Sequence, residues 1–231
     1  ISFQLHKGEV LAITGLQGSG RDELADALFG VIPCKGKLSF GGQTLESAKS
    51  IQFHMGHGMA LVPRMRKERG IHDDLSILDN MSMAFLNTKW KKLLISGKAE
   101  RERFARQQKA LQIKAGNPAD PITSLSGGNQ QKVILGKWLE TDAEVLLFDN
   151  PTQGIDVGTK FEIYHLILEL AKQGKAIVVF SSEFPEIYKV ADSCMVLYKG
   201  RVNAVMRREE MTEKNVMYYS TGANVEGAKN A

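Results

Sequence analysis
The stretch GLQGSGRDEL, residues 15–24, carries glycines at Gly15, Gly18 and Gly20, with Leu16, Gln17 and Ser19 between them. The G-x-x-x-x-G spacing from Gly15 to Gly20 is that of a loop whose backbone amides cradle a phosphate at a helix entrance. Such a loop continues with Lys, which reaches the phosphates, and then Ser or Thr, whose hydroxyl holds a metal ion. Here Arg21 and Asp22 take those two places, and Glu23 follows. Two other segments end in polar groups that could act with the loop: VLLFDN in Asp149 and Asn150, AIVVFSSE in Ser181, Ser182 and Glu183. An aspartate at the end of a buried strand is the usual magnesium partner in phosphate-loop proteins. LSGGNQQK sets Leu125, Ser126, Gly127, Gly128 and Asn129 at the entrance of an apolar helix. Glycines there let a backbone approach a ligand, the serine offers a hydroxyl, and free N–H groups at the helix start attract an anion. The plain alternative is a Ser-Gly-Gly turn that caps its own helix.

These groups need a scaffold that brings several segments to one edge. Four apolar runs are short, continuous and rich in Val, Ile and Leu: VLAITG (10–15), MALVP (59–63), VLLFD (145–149) and AIVVFSS (176–182). Strands buried on both faces read this way. Between them lie helical patterns such as KFEIYHLILELAKQG (160–174), with Ile163, Leu166, Ile167 and Leu170 on one face. The alternation predicts an α/β fold with a mostly parallel sheet and crossover helices. Ligands in such sheets bind outside the carboxyl ends of the strands, where the polar groups above fall. GKLSFGGQTL (36–45), turning at Gly41-Gly42, and MVLYKGRVNAVM (195–206), turning at Lys199-Gly200, predict antiparallel hairpins. Residues 75–116 are charge-rich and helical in pattern. They are expected to form an inserted helical subdomain with Trp90, Leu93, Leu94, Phe104 and Leu111 turned inward. Residues 220–231 offer nothing to bury and are expected to be a loose tail.

The bulk composition narrows the function classes. With 43% hydrophobic and 24% charged residues the chain reads as an ordinary globular protein. A formal charge of +4 is too small an excess to argue for nucleic acid. Cys34 and Cys194 stand alone, so neither a zinc site nor a disulfide framework is suggested. No apolar run approaches the roughly 18 residues of a membrane span.

LSGGNQQK resembles the signature motif of ABC-transporter ATPase domains. GLQGSGRD is similar to their Walker A loop, VLLFDNP to their Walker B strand, and PTQGIDVGTK to their D-loop, with Asp156 at that motif's aspartate. The resemblance covers nearly the whole chain. LSGGNQQKV and GIDVG followed by SSEFPEI are similar to the C-terminal ATPase domain of the tandem ATPases that drive ribose-, galactose- and xylose-type importers. It implies a P-loop NTPase fold over residues 1–219: an ABC-type core with a mostly parallel sheet, an antiparallel β subdomain, and a helical subdomain at about 75–140 inserted in it. It implies ATP and Mg2+, sandwiched head to tail between one domain's Walker A and the other's signature. The implied partners are an N-terminal ABC domain of the same polypeptide, membrane permease subunits docked along residues 63–79, and indirectly a periplasmic sugar-binding protein. The implied place is the cytoplasmic face of the inner membrane. A start at Ile1 fits a piece of a longer polypeptide, with the other ABC domain and the adenine-stacking aromatic upstream.

Five departures fall on the implied nucleotide site. Arg21 replaces the Walker A lysine, and a planar guanidinium does not fit where a compact ammonium is wrapped. Asp22 replaces the metal-binding hydroxyl. It could still bind the metal, but it adds negative charge among phosphates; its plain reading is an acid at a helix start. Asn150 replaces the glutamate that polarises water in the family, and an amide is no general base. Ser182 stands at the switch-histidine position, and Arg64 in LVPRMRK at the Q-loop glutamine. Asp149 is left as a magnesium candidate. The signature is intact except for Asn129, which the sugar-importer ATPases share. The expectation is asymmetry: Leu125, Ser126, Gly127, Gly128 and Asn129 serve the neighbour's nucleotide, while ATP and Mg2+ are weak or absent at this domain's own Walker site. The alternatives are a silent regulatory nucleotide-binding module, and a nucleic-acid-linked ABC ATPase suggested by KWKK (89–92) and ERERFARQQK (100–109). The second is disfavoured by mixed signs at helical spacing and few aromatics for stacking.

Overall fold
The computed structural model describes residues 1–40, 43–46, 50–88 and 96–223. The four apolar runs are strands β1 (Val10–Thr14), β4 (Met59–Val62), β5 (Val145–Asp149) and β6 (Ala176–Phe180), every residue buried. They lie parallel in a six-stranded sheet of order β4-β5-β6-β1-β7-β8, with β7 (Ser193–Tyr198) and β8 (Arg201–Arg207) at one side. The hairpin expected at 195–206 is present, turning through Lys199 and Gly200, both at positive φ. It is also part of the main sheet, because β7 pairs parallel with β1, Ala12 opposite Cys194. A second, two-stranded antiparallel sheet joins β2 (Lys37–Phe40) and β3 (Gln43–Glu46). Its expected turn at Gly41-Gly42 lies outside the described residues.

Helices cover both faces. α3 (Ile77–Thr88), α4 (Gly97–Ala110), α5 (Gly127–Leu139) and α6 (Val157–Lys172) contribute to one apolar cluster, containing Ile77, Phe104, Ile134, Phe148 and Ile167. α1 (Arg21–Phe29) and the β2–β3 sheet cover the other face, around Phe29, Leu147 and Phe180. α7 (Phe184–Val190) and α8 (Glu213–Ser220) close the β7–β8 side around Ile187, Met206 and Val216. α2 (Ile51–Gly56) precedes β4. Alternate residues of β5 face alternate clusters, Leu147 one and Phe148 the other, which is why the run carries no polar residue before Asp149. Phe104 and Leu111 are buried as expected, while Trp90, Leu93 and Leu94 lie outside the described residues. At the far end, Asn203 Nδ2 donates to the Ala223 carbonyl at 3.1 Å; residues 224–231 lie outside the described residues.

Candidate functional site
The glycine loop joins β1 to α1 at the carboxyl edge of the sheet. Gly15 is required there by space: a Cβ on it would stand 2.6 Å from the Leu197 carbonyl and 2.5 Å from Ser19 Oγ. The β7–β8 turn supports the loop from beneath, with Gly200 N donating to the Ser19 carbonyl at 2.8 Å. α1 begins after Gly20 with no side-chain cap, so its first amides remain open to an anion. Arg21 turns most of its donors to the next residue in the chain. Its Nε and Nη2 donate to Asp22 Oδ1 at 3.0 and 2.8 Å, and Nη1 stands 3.5 Å from the Gly15 carbonyl. The two replacements thus pair with each other.

Behind the loop, Arg64 organises the charges. It follows β4, and its fork spans two carboxylates: Nη1 to Asp149 Oδ2 at 2.6 Å, Nη2 to Asp26 Oδ2 at 2.9 Å. Nη1 also lies 3.3 Å from the backbone carbonyl of Asp22. Arg69 completes the group with a 2.5 Å contact to Asp26 Oδ1. Asp149 has no solvent exposure. Burial pushes its carboxyl above the usual range, and the Arg64 hydrogen bond opposes that. Burial works against the charge of Arg64 too, but its bonds to Asp149 and Asp26 outweigh this and raise its pKa. Asn150, in a left-handed conformation at φ 46°, turns Nδ2 to within 3.2 Å of Asp149 Oδ1. Ser182 is exposed just beyond β6.

This arrangement does not fit a magnesium ion. One oxygen of Asp149 is held by a guanidinium and the other faces an amide donor. Asp22 is held by Arg21. Among the described residues no group of three or more His, Cys, Asp or Glu side chains could hold a metal.

The Ser-Gly-Gly segment is built differently. Ser126 stands at the N-cap of α5, yet its side chain makes no capping bond to that helix. Asn129 Nδ2 instead donates to Ser126 Oγ at 3.0 Å, while Asn129 Oδ1 accepts from Lys114 N at 2.7 Å. With an amide donating to its oxygen, the serine hydroxyl is free to donate outward. Gly128 is pressed against the start of α6: a Cβ there would come within 2.7 Å of Thr159 Oγ1 and 3.2 Å of Asp156 Oδ2. Asp156 caps α6, accepting from Thr159 N at 2.9 Å. Arg66 brings the segment after β4 to the same place, its Nε donating to Gln130 Oε1 at 3.1 Å and its Nη2 standing 2.9 Å from where a Gly127 Cβ would lie.

A family model for ABC transporters matches residues 1–153. The chain belongs to the ABC transporter family. It is 40% identical over 225 residues to a ribose import ATP-binding protein of Oceanobacillus iheyensis, covering 97% of this chain and 45% of that protein. It is 42% identical over 223 residues to one of Streptomyces coelicolor, covering 96% and 44%. A putative ribose/galactose/methyl galactoside import ATP-binding protein of Pseudomonas syringae pv. syringae is 41% identical over 226 residues, covering 97% and 43%. The chain therefore spans less than half the length of the relatives it matches. Among solved structures, a dimeric ATP-binding cassette in a post-hydrolysis state with ADP and phosphate superposes with a TM-score of 0.78 at 20% identity, covering 90% and 89% of the two chains. A nucleotide-free cassette from an ABC transporter gives 0.77 at 21%, covering 94% and 87%. At these identities the likeness is one of ABC fold. Among the described residues no helix is long and apolar enough to cross a membrane.

The structure thus separates the expected site residues into two groups. Gly15–Asp22, Arg64, Asp149 and Asn150 gather at the glycine loop; Ser126, Gly127, Gly128, Asn129 and Asp156 gather at the α5 entrance. Sequence reading missed Asp26 and Arg69. The signal was Asp26 itself, a lone acid in the apolar LADALF, four residues after Asp22 and so on the same helix face.

Proposed function
We propose that this chain is the C-terminal ATP-binding domain of a bacterial ABC sugar importer ATPase, in which its own Walker site is degenerate and its signature completes the site of an N-terminal ABC domain in the same polypeptide. The observation that carries this reading is a contrast. At the glycine loop the two candidate metal ligands, Asp22 and Asp149, are already paired with arginines, and the water-activating position is Asn150. At the α5 entrance the serine hydroxyl, accepting from Asn129, keeps its proton to donate outward, and no side chain caps the helix amides. The relatives' names, and their being roughly twice as long, support a sugar-importing, two-domain parent. In that parent ATP and Mg2+ act at the composite site built on the other domain, and the energy moves a monosaccharide. Residues 63–79, where Met65 and Leu75 are exposed, face membrane permease subunits at the cytoplasmic side of the inner membrane. A periplasmic sugar-binding protein selects the cargo, and nucleic acid has no role. In ERERFARQQK, Arg103 and Phe104 are buried, Arg103 against the Phe85 ring at 4.0 Å; KWKK lies outside the described residues.

The decisive measurement uses the two-domain subunit with its permease. Ser126→Ala is expected to lower ATP turnover by about a hundredfold or more, the scale of losing one aimed transition-state donor. Asn150→Ala should leave turnover within about twofold, well under the scale of losing a general base. Turnover by the 231-residue chain alone that is lost on Asn150→Ala refutes the reading.

A further inference from the structure
The glycine-loop site holds an internal cation where a metal ion would lie. In phosphate-loop proteins the metal bridges the strand-end aspartate and the hydroxyl that follows the loop lysine. In this chain Arg64 Nη1 bridges the same two segments, 2.6 Å from Asp149 Oδ2 and 3.3 Å from the carbonyl of Asp22. The guanidinium is not a passing surface contact. Its other nitrogen is fixed by Asp26, which Arg69 fixes in turn, and the carboxylate it holds is fully buried. Arg21, Arg64 and Arg69 face Asp22, Asp26 and Asp149, so three positive groups meet three negative ones with no divalent ion needed.

We propose that Arg64 has replaced the divalent cation at this site, so that Asp149 does not ligate a metal and any phosphate bound at the glycine loop is bound without one. The inference rests on reading residues 15–24 as the degenerate Walker A of this ABC domain. Geometry favours it over simple loss of the metal, because a site that only lost magnesium would leave a buried carboxylate uncompensated, at a cost that a tethered guanidinium removes. Arginine suits this place because its charge is permanent and its planar fork serves two carboxylates at once.

Mn2+ alone, followed by its electron paramagnetic resonance signal, is the direct probe. The 231-residue chain is expected to show no saturable Mn2+ site that depends on Asp149. Arg64→Gln is expected to gain one, and Arg64→Gln combined with Asp149→Asn to lose it again. Circular dichroism of each variant checks that it is folded, and the comparison of the unaltered chain with Asp149→Asn stands even if Arg64→Gln does not fold. A second arm titrates a fluorescent ATP analogue in Mg2+ and in EDTA, where the affinity of the unaltered chain should agree within about twofold, a small step on the tenfold-per-1.4 kcal/mol scale. Saturable Mn2+ binding to the unaltered chain that disappears in Asp149→Asn overturns the proposal, as does ATP binding that requires the metal. Either result without ATP turnover leaves the functional reading standing; turnover by the chain alone that is lost on Asn150→Ala refutes that reading whatever the metal dependence.

Discussion

Arg64 Nη1 lies 2.6 Å from Asp149 Oδ2, and the carboxylate it holds has no solvent exposure. A buried charge that loses its partner is expensive, so the pair should behave as a unit. Arg64→Met is expected to lower stability by about 3–5 kcal/mol. Arg64→Met with Asp149→Asn should cost clearly less than the sum of the single changes. Urea unfolding of the four members of the cycle reads the coupling, and additive losses would count against the pair.

Close approach at the α5 entrance makes a steric prediction. A methyl on Gly128 meets Thr159 Oγ1 at 2.7 Å. Gly128→Ala should therefore destabilise by about 1–3 kcal/mol, the range for overpacking. Combining it with Thr159→Ala should recover part of that loss. An unchanged melting temperature for Gly128→Ala would show the contact to be soft.

Lys137 gives a pH dependence with a defined window. It is buried in α5, donates to the Gly70 carbonyl at 2.5 Å, and burial lowers its pKa from 10.5 to about 8. Between those values the unfolded chain holds a proton that the folded chain has released, so stability rises with pH there. The full span is worth about 3 kcal/mol. Unfolding curves at pH 7.5, 9 and 10.5 should show the native chain gaining on Lys137→Met. A constant gap across that range would disprove the shift.

Glu186 carries the opposite sign. It is buried in α7 and accepts from Thr152 Oγ1 at 2.8 Å, tying the segment after β5 to α7. Burial raises its pKa, so the folded state keeps its proton where the unfolded state has lost it. Stability contributed by the protonated form is lost as pH rises through that window. Glu186→Gln, whose oxygen still accepts from Thr152, should gain on the native chain from pH 4.5 upward. Thermal melts at acid and neutral pH compare the two.

The two thiols should react unequally. Cys194 is fully buried and its pKa is pushed up to about 12, while Cys34 is half-buried. A maleimide should label Cys34 in the native chain and Cys194 only in denaturant, since the thiolate is the reactive form. Mass spectrometry of the labelled peptides decides it.

The parts of the fold that were readable in the sequence are those fixed by local rules. β1, β4, β5 and β6 announce themselves as unbroken apolar runs because both faces are covered. The β7–β8 hairpin follows from Lys199-Gly200, but its attachment to β1 does not, because strand neighbours are chosen by the tertiary path of the chain. The same division holds at the glycine loop. Arg21, Asp22, Arg64 and Asn150 stand out as departures from a motif. That Arg21 pairs with its neighbour, and that Arg64 closes on Asp26 as well as Asp149, depends on α1 crossing the end of β5, 123 positions separating Asp26 from Asp149. The plain alternative for Ser126 could be judged only from hydrogen-bond geometry. A capping serine and one held by Asn129 are spelled alike.

Between Arg64, anchored on Asp149, and Arg66, anchored on Gln130, stands only Met65, held in a left-handed conformation at φ 52°. That one backbone twist works as a caliper. It sets the spacing between the strand end and the helix that carries Ser126, and both jaws are gripped by side chains of the domain itself. A domain clamped this way fixes the distance between its glycine-loop side and its Ser-Gly-Gly side from within, through two arginines set one residue apart.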